Sequence, residues 1–496
     1  MAIAEYTQFD ATRLAELIKK KEITPQEALE AALDRCADVN PKLNAVVGTY
    51  PERAARTIEA GVPDGPFSGV PFLLKDQIAL EGTRLTLGSV FLRDNIATDT
   101  HELVRRQQRA GLVHFGRTNM SELGLVPFTE PTLHGPTHNP WNLLHSPGGS
   151  SGGSASAVAA RIVPMAHAAD GGGSIRIPAA NCGVFGLKPS RGRNPGAADD
   201  EPEGFVVNHC VSISVRDSAR MLDVTAGPLP GERWWAPPPE VPFAQSATRD
   251  PRRLRIAFSV SDFTGRRAHP DCVAAVEDVA KLCEALGHDV EEARPGFDGI
   301  AYNEAFIVLW SMIAGYFFKA ILGEMTRLGV PKRAVTALNN LALFDVVTRL
   351  STLRFGKPPF ETFTKRLARM EAGYSPGDLW VAWNTMQRAG IITCQFLQQY
   401  DVLLTPVLGA PPRLTGDFNP NRPIPQLKED LFAYTGYTPI SNTAGLPAMS
   451  IPLYWNDAGL PIGTQFMGGF ADESTLFALA GQLERARPWA HRIPSF

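Results

Sequence analysis

The sequence predicts an α/β protein built around a large, buried β-sheet. Two observations predict it. Short apolar segments alternate with stretches of helical periodicity along much of the chain. The composition, 44% apolar and 20% charged, is that of a globular chain able to bury a sizeable core and still carry a cleft. Length alone, 496 residues, admits either about three domains or one large one. No internal repeat or low-complexity tract is present.

Taken in order, the first forty residues read as two helices. Asp10 caps the first, which places Leu14, Leu17 and Ile18 on one face. Thr24-Pro25-Gln26-Glu27 forms a capping box with proline at the first helical position. The second helix runs through residues 28–36 and is expected to stop before Pro41. Apolar segments at 45–47, 70–74 and 112–115 read as strands, with a helical stretch at 102–110. Residues 134–154 and 170–176 are rich in glycine, serine and proline and read as shaped loops. Residues 227–242, with three consecutive prolines from Pro237, read as a surface crossing. A strand at 254–258, a helix at 272–286 ending at Gly287 and another short strand follow. Residues 301–325 form an unusually apolar helix and 378–399 a second long one, flanking a basic and aromatic region at 343–360. Residues 402–404 are a strand running through Thr405-Pro406 into a loop.

The net charge of −3 gives no field that favours nucleic acid or an anionic membrane. The start, MAIAEYTQFD, lacks the basic-then-apolar pattern of a secretory signal, and no uninterrupted apolar run reaches the ~20 residues of a membrane span. The cysteines (Cys36, Cys182, Cys210, Cys272, Cys283, Cys394) are scattered without a C-x-x-C pair, which fits reduced thiols and no metal site. A cytoplasmic enzyme is expected.

Three local features bear chemistry. Residues 148–154 (GGSSGGS) resemble a flexible linker in isolation, but they lie mid-chain and lead into the apolar stretch 155–160. No Lys-Ser/Thr closes a phosphate loop. The same residues satisfy G-x-S-x-G with Ser150 as nucleophile, yet that elbow follows a buried strand, and residues 141–147 make a poor one. The second feature is Asp170-Gly171-Gly172-Gly173-Ser174-Ile175-Arg176. Three glycines before a serine let successive N–H groups aim at one point, as an oxyanion hole beside a nucleophile requires; the alternative is a glycine-rich turn with a surface serine. The third is Lys75, closing the apolar run 70–74. A lysine there is usually solvated; enclosed, it would lose charge and become a base, and Ser–Lys pairs activate nucleophiles. His134 and His138 have i,i+4 spacing, but Gly135 and Pro136 between them oppose the helix a zinc pair needs. A histidine-based triad drawing on these two, His145 or His167 is the rival arrangement.

Lys75 precedes Ser150 by 75 positions and Ser174 follows it by 24. In these offsets the chain resembles the amidase signature family, whose hallmark is a Ser–cis-Ser–Lys triad. The resemblance extends over residues 116–122 (GRTNMSE), 139–142 (NPWN), 177–189, 442–447 (NTAGLP) and 459–465 (GLPIGTQ). It fades at about 230–400, where members of the family differ in their substrate pockets. It implies the amidase-signature fold: one domain over 1–496, a signature core at 70–190, and a large mixed sheet flanked by helices on both faces. It also implies that Ser174 attacks the carbonyl, Ser150 relays the proton, and Lys75 accepts it and returns it to the leaving nitrogen. The Gly149–Ser150 peptide would be cis. Backbone N–H groups of Gly171, Gly172, Gly173 and Ser174 would hold the oxyanion, with Gly149, Asp170 and Arg176 as support and no cofactor. Gly171 stands where the family often has a larger residue, which would leave the loop freer. The helix bearing Phe306, Trp310, Met312, Ile313 and Phe317 reads as core or as pocket lining, as does Leu125. In general pattern the chain resembles hydrolases of nylon-derived cyclic amides and carbamate-cleaving amidases. Expected substrates are therefore small aryl, cyclic or oligomeric amides or carbamates (urethanes), cleaved through an acyl-Ser174 intermediate by a protein with the family's habit of homodimerising. A glutaminase subunit of a tRNA-dependent amidotransferase, or a non-catalytic scaffold, are the other readings.

Overall fold

A computed structural model describes residue 3 and residues 5–196, 204–327, 352 and 356–495. Among the described residues eleven strands form one sheet. They are β1 (Val46–Thr49), β2 (Pro71–Lys75), β3 (Val113–Thr118), β4 (Met165–Asp170), β5 (Phe185–Lys188), β6 (Val207–Ser212), β7 (Arg255–Phe258), β8 (Asp289–Glu292), β9 (Val402–Pro406), β10 (Ala448–Trp455) and β11 (Pro461–Gly468). The strand order is β1-β3-β2-β4-β6-β5-β10-β11-β9-β7-β8. β2 runs parallel to β3 and β4, and β7 parallel to β8 and β9, while the centre from β6 to β11 is antiparallel. Strands β2 to β6, β9 and β11 are buried at every position. A strand without an exposed alternate residue must be covered on both faces, so the sheet lies inside the protein with helices on either side. The outermost strands, β1 and β8, are mostly exposed.

Most expected elements stand close to their predicted positions. Asp10 accepts the N–H of Arg13, and Thr24 with Glu27 forms the capping box. The second helix differs: it spans Pro25–Leu43 and runs through Pro41 to a left-handed Asn44. The carbonyl that Pro41 leaves without a donor belongs to the exposed Ala37, while Val39 and Leu43 on the apolar face are buried. Burial of Leu43 therefore outweighs the break a proline otherwise imposes. Helices Glu102–Arg109 and Gly152–Ala159 supply the crossovers that the parallel neighbours β2, β3 and β4 need. Of the basic and aromatic region at 343–360, residues 343–351 and 353–355 lie outside the described residues.

Helix Gly299–Arg327 carries a segment, Gly299–Phe317, that is long and apolar enough overall to cross a membrane despite Asn303 and Glu304. In this fold it packs against helix Pro376–Phe396 and faces a cavity.

Candidate active site

Adjacent parallel strands carry their loops at the same end, so β2 and β4 deliver Lys75 and the Asp170–Arg176 loop to one place. The carboxyl ends of such strands are where α/β sheets bind ligands. Lys75 is 1% exposed, and its Nζ donates to Ser150 Oγ at 2.7 Å. Burial pulls the ammonium pKa down to about 7, against the opposing pull of the Asp170 charge. Ser150 is itself 2% exposed and enters through a cis Gly149–Ser150 peptide. A Cβ on Gly149 would stand 2.6 Å from the backbone nitrogen of Phe128, so only glycine fits there. Ser174 is partly exposed and lines the cavity in front of the pair, and its carbonyl accepts the N–H of Ser151 at 3.4 Å.

The Asp170–Arg176 loop that bears Ser174 is held from behind by charge. Burial alone would raise the Asp170 pKa, but the Arg176 guanidinium, bonded through Nε and Nη2 at 2.9 Å each, holds it well below the usual carboxylate range. Arg176 is fully buried and also donates to the Thr438 carbonyl, Ser441 Oγ, Gln465 Oε1 and Asn442 Oδ1 at 2.7–2.9 Å. Asp170 Oδ1 accepts the N–H of Gly173 at 2.7 Å. Of the four N–H groups expected to hold an oxyanion, one is already engaged. The Gly173 N–H is committed to a carboxylate, whereas those of Gly171, Gly172 and Ser174 have no acceptor among the described residues. Gly173 has φ +135°, and a Cβ there would stand 2.4 Å from Thr438 Oγ1. That hydroxyl donates to the Gly172 carbonyl at 2.6 Å, so the Gly172–Gly173 peptide is tied through both its C=O and its N–H despite the loop's three glycines.

The cavity before Ser174 is bounded by the loop 123–127, Ile177, Phe205, and Phe306, Leu309, Trp310, Ile313 and Phe317 of the apolar helix. None of its described lining residues is charged. Leu125 and Trp310 are among them, as expected, but Met312 is not. The lining positions recur every three or four residues, and Met312, one before Ile313, points about 100° away around the helix axis.

The family described as Amidase matches residues 27–477. The chain belongs to the amidase family. It is 35% identical to 6-aminohexanoate-cyclic-dimer hydrolase of Paenarthrobacter ureafaciens, over 98% of this chain and 96% of that one. A solved structure of 6-aminohexanoate cyclic dimer hydrolase complexed with substrate superposes with a TM-score of 0.85 at 30% identity, covering 99% of both chains. A bacterial aryl acylamidase of the amidase signature enzymes superposes at 0.83 with 25% identity over 97% of both chains. This chain is thus an amidohydrolase by family.

The histidines of this amidase lie elsewhere. His134 faces Thr86 Oγ1 at 3.3 Å, His138 Nδ1 lies 2.7 Å from the Leu143 carbonyl, and the buried His167 meets Asn208 at 3.2 Å. His145 lies on the loop before Ser146, bridged to Leu414. Among the described residues no cluster of three His, Cys, Asp or Glu side chains could hold a metal ion. Sequence reasoning missed Thr438 and Ser441, which immediately precede the 442–447 match, and the cavity wall from Met386, Leu431 and Phe432. The adjacency to a matching segment was a usable signal for the first two; the wall residues carry none.

Proposed function

We propose that this amidase hydrolyses amides bearing an uncharged, apolar acyl or aryl group through a covalent acyl-Ser174 intermediate. The observation that carries the reading is the buried Lys75–Ser150 hydrogen bond of 2.7 Å, next to the Ser151–Ser174 backbone bond and an uncharged cavity that Ser174 lines. A neutral Lys75 accepts the Ser150 proton as Ser150 takes that of Ser174, whose Oγ adds to the substrate carbonyl. The N–H groups of Gly171, Gly172 and Ser174 stabilise the oxyanion, each donor worth about 3 kcal/mol in such sites. Lys75, now protonated, returns the proton through Ser150 to the leaving nitrogen. Water then enters by the same relay, adds to the acyl-Ser174 carbonyl and releases the acid. A charged substrate group would lose its hydration against Leu125, Phe306 and Trp310 with nothing to replace it. The cyclic-dimer hydrolase and the aryl acylamidase are named for amides that an uncharged cavity accommodates, and carbamates react by the same steps.

The test is Ser174→Ala, assayed on anilides, cyclic amides, urethanes and glutamine and treated with a fluorophosphonate probe. Turnover is expected to fall by at least about 10³-fold with loss of labelling. Retained turnover and labelling would overturn the nucleophile assignment. A wild-type chain that prefers glutamine and co-purifies with another subunit would favour the amidotransferase reading instead.

A further inference from the structure

Glu122, the last residue of the 116–122 match, touches neither Lys75 nor either serine, yet its side chain is 2% exposed. Its Oε1 lies 2.7 Å from Ser89 Oγ, and its Oε2 accepts the Glu361 N–H at 2.8 Å and the Thr364 hydroxyl at 2.6 Å. Glu361 and Thr364 open the helix Thr362–Met370, in the part of the chain where the family resemblance fades. That helix has no side-chain cap of its own, because the Glu361 carboxylate accepts the Thr132 N–H at 2.7 Å instead. A residue of the signature segment therefore caps a helix of the divergent segment. The helix places Phe363 and Leu367 in one buried cluster with Leu123, Leu125 and Ile177, and the Phe363 ring lies 5.5 Å from that of Trp310.

We propose that Glu122 is a positioning residue for substrate selection: its carboxyl fastens the helix Thr362–Met370 to the loop 123–127 and so sets the width of the cavity. This rests on the reading of that cavity as the seat of the substrate's apolar group. Ser89 Oγ donates to Glu122 Oε1 at 2.7 Å and lies 3.3 Å from the Pro359 carbonyl, so when Glu122 is protonated the hydroxyl can turn to Pro359 and accept the Oε1 proton. Each carboxyl oxygen then has a partner, and no cation is bonded to it among the described residues. Burial and the neighbouring Glu361 carboxylate push the Glu122 pKa up, which favours the neutral form. A glutamine side chain reproduces the same donors and acceptors.

The experiment compares Glu122→Gln, Glu122→Ala and Thr364→Val with the wild type, using a pair of anilides that differ only in a small or a bulky apolar acyl group. The rate of Ser174 labelling by a small fluorophosphonate is read alongside. In Glu122→Ala the ratio of kcat/KM for the bulky over the small amide is expected to fall by about tenfold, mostly through KM, the size of change a pocket contact gives. Glu122→Gln should hold the ratio within about twofold, and Thr364→Val, which removes one bond and keeps the fold, should lower it by about threefold. An unchanged ratio in Thr364→Val and Glu122→Ala with normal labelling would overturn the proposal, as would a glutamine variant as impaired as alanine. Failure of the wild type to label at all would strike the Ser174 reading, not this one.

Discussion

Behind Ser174 lies a fully buried guanidinium, Arg176, with four side-chain or carbonyl acceptors besides the Asp170 carboxylate, each contact directional. In front of it lies a cavity whose described walls carry no charge and are shaped by rings such as Phe306, Trp310 and Phe363. The rear holds position through hydrogen bonds that cost several kcal/mol to leave unmade, so it fixes one geometry for the chemistry. The front holds shape through packing, which tolerates a change of volume at about 1 kcal/mol and so admits a change of substrate. In the mechanism proposed above, chemistry and selectivity thereby fall to two regions that meet at Ser174.

That division predicts a gradient of effects. At its steep end, Lys75→Met should lower kcat by at least about 10³-fold in single-turnover assays, because the relay loses its base. The same variant should melt at a higher temperature at pH 7. The folded pKa of about 7 is below the ordinary lysine value, so the unfolded chain binds more protons between about 7 and 10.5 and stability rises with pH through that window. The penalty is complete below about pH 7, and methionine removes it. A lower melting temperature would mean that Lys75 is not desolvated.

Arg176→Met should cost roughly 3–5 kcal/mol in urea unfolding, since it leaves Asp170 buried without its counter-charge. A loss below about 1 kcal/mol would show the rear network to be as forgiving as the front. Next in size, kcat/KM for a neutral amide should fall about tenfold per pH unit below about 7, where Lys75 becomes protonated, and level off above it. The gentlest expected break is Trp310→Ala: about a tenfold lower kcat/KM on bulky apolar amides, with fluorophosphonate labelling of Ser174 altered far less. Equal losses on both readouts would erase the boundary between the regions.

The two regions were also unequally legible in the sequence. Lys75, Ser150 and Ser174 are specified by residue type, by offset and by glycines whose absence of a Cβ the fold requires, as at Gly149. The use of the Gly173 N–H was not, because it depends on where Asp170 Oδ1 points. Strands β1, β2, β3, β7 and β9 were readable from apolar runs, whereas β4 and β11 were not. Met165–Asp170 holds a histidine and an aspartate and no β-branched residue, and Pro461–Gly468 contains two glycines and a proline. Pairing within the sheet overrides these local preferences. The front wall was the least legible part. Its helix announced itself as apolar, but the choice of Leu309 over Met312 is a matter of rotation about the axis, and Met386 and Phe432 arrive from distant segments. The capping of Thr362–Met370 by Glu122 joins residues 242 positions apart and has no local signature at all.

The acceptors of Arg176 have a consequence for the order of assembly. Thr438, Ser441 and Gln465 follow it by 262 to 289 residues. As the chain leaves the ribosome, Asp170 and Arg176 emerge together and can pair at once, but Nη1 finds its three oxygens only when most of the remaining chain has been made. The loop that bears Ser174 thus receives its last ties from segments far along the chain. A product cut short before Thr438 carries all of the 70–190 core and keeps, of the Arg176 side-chain bonds, only those to Asp170.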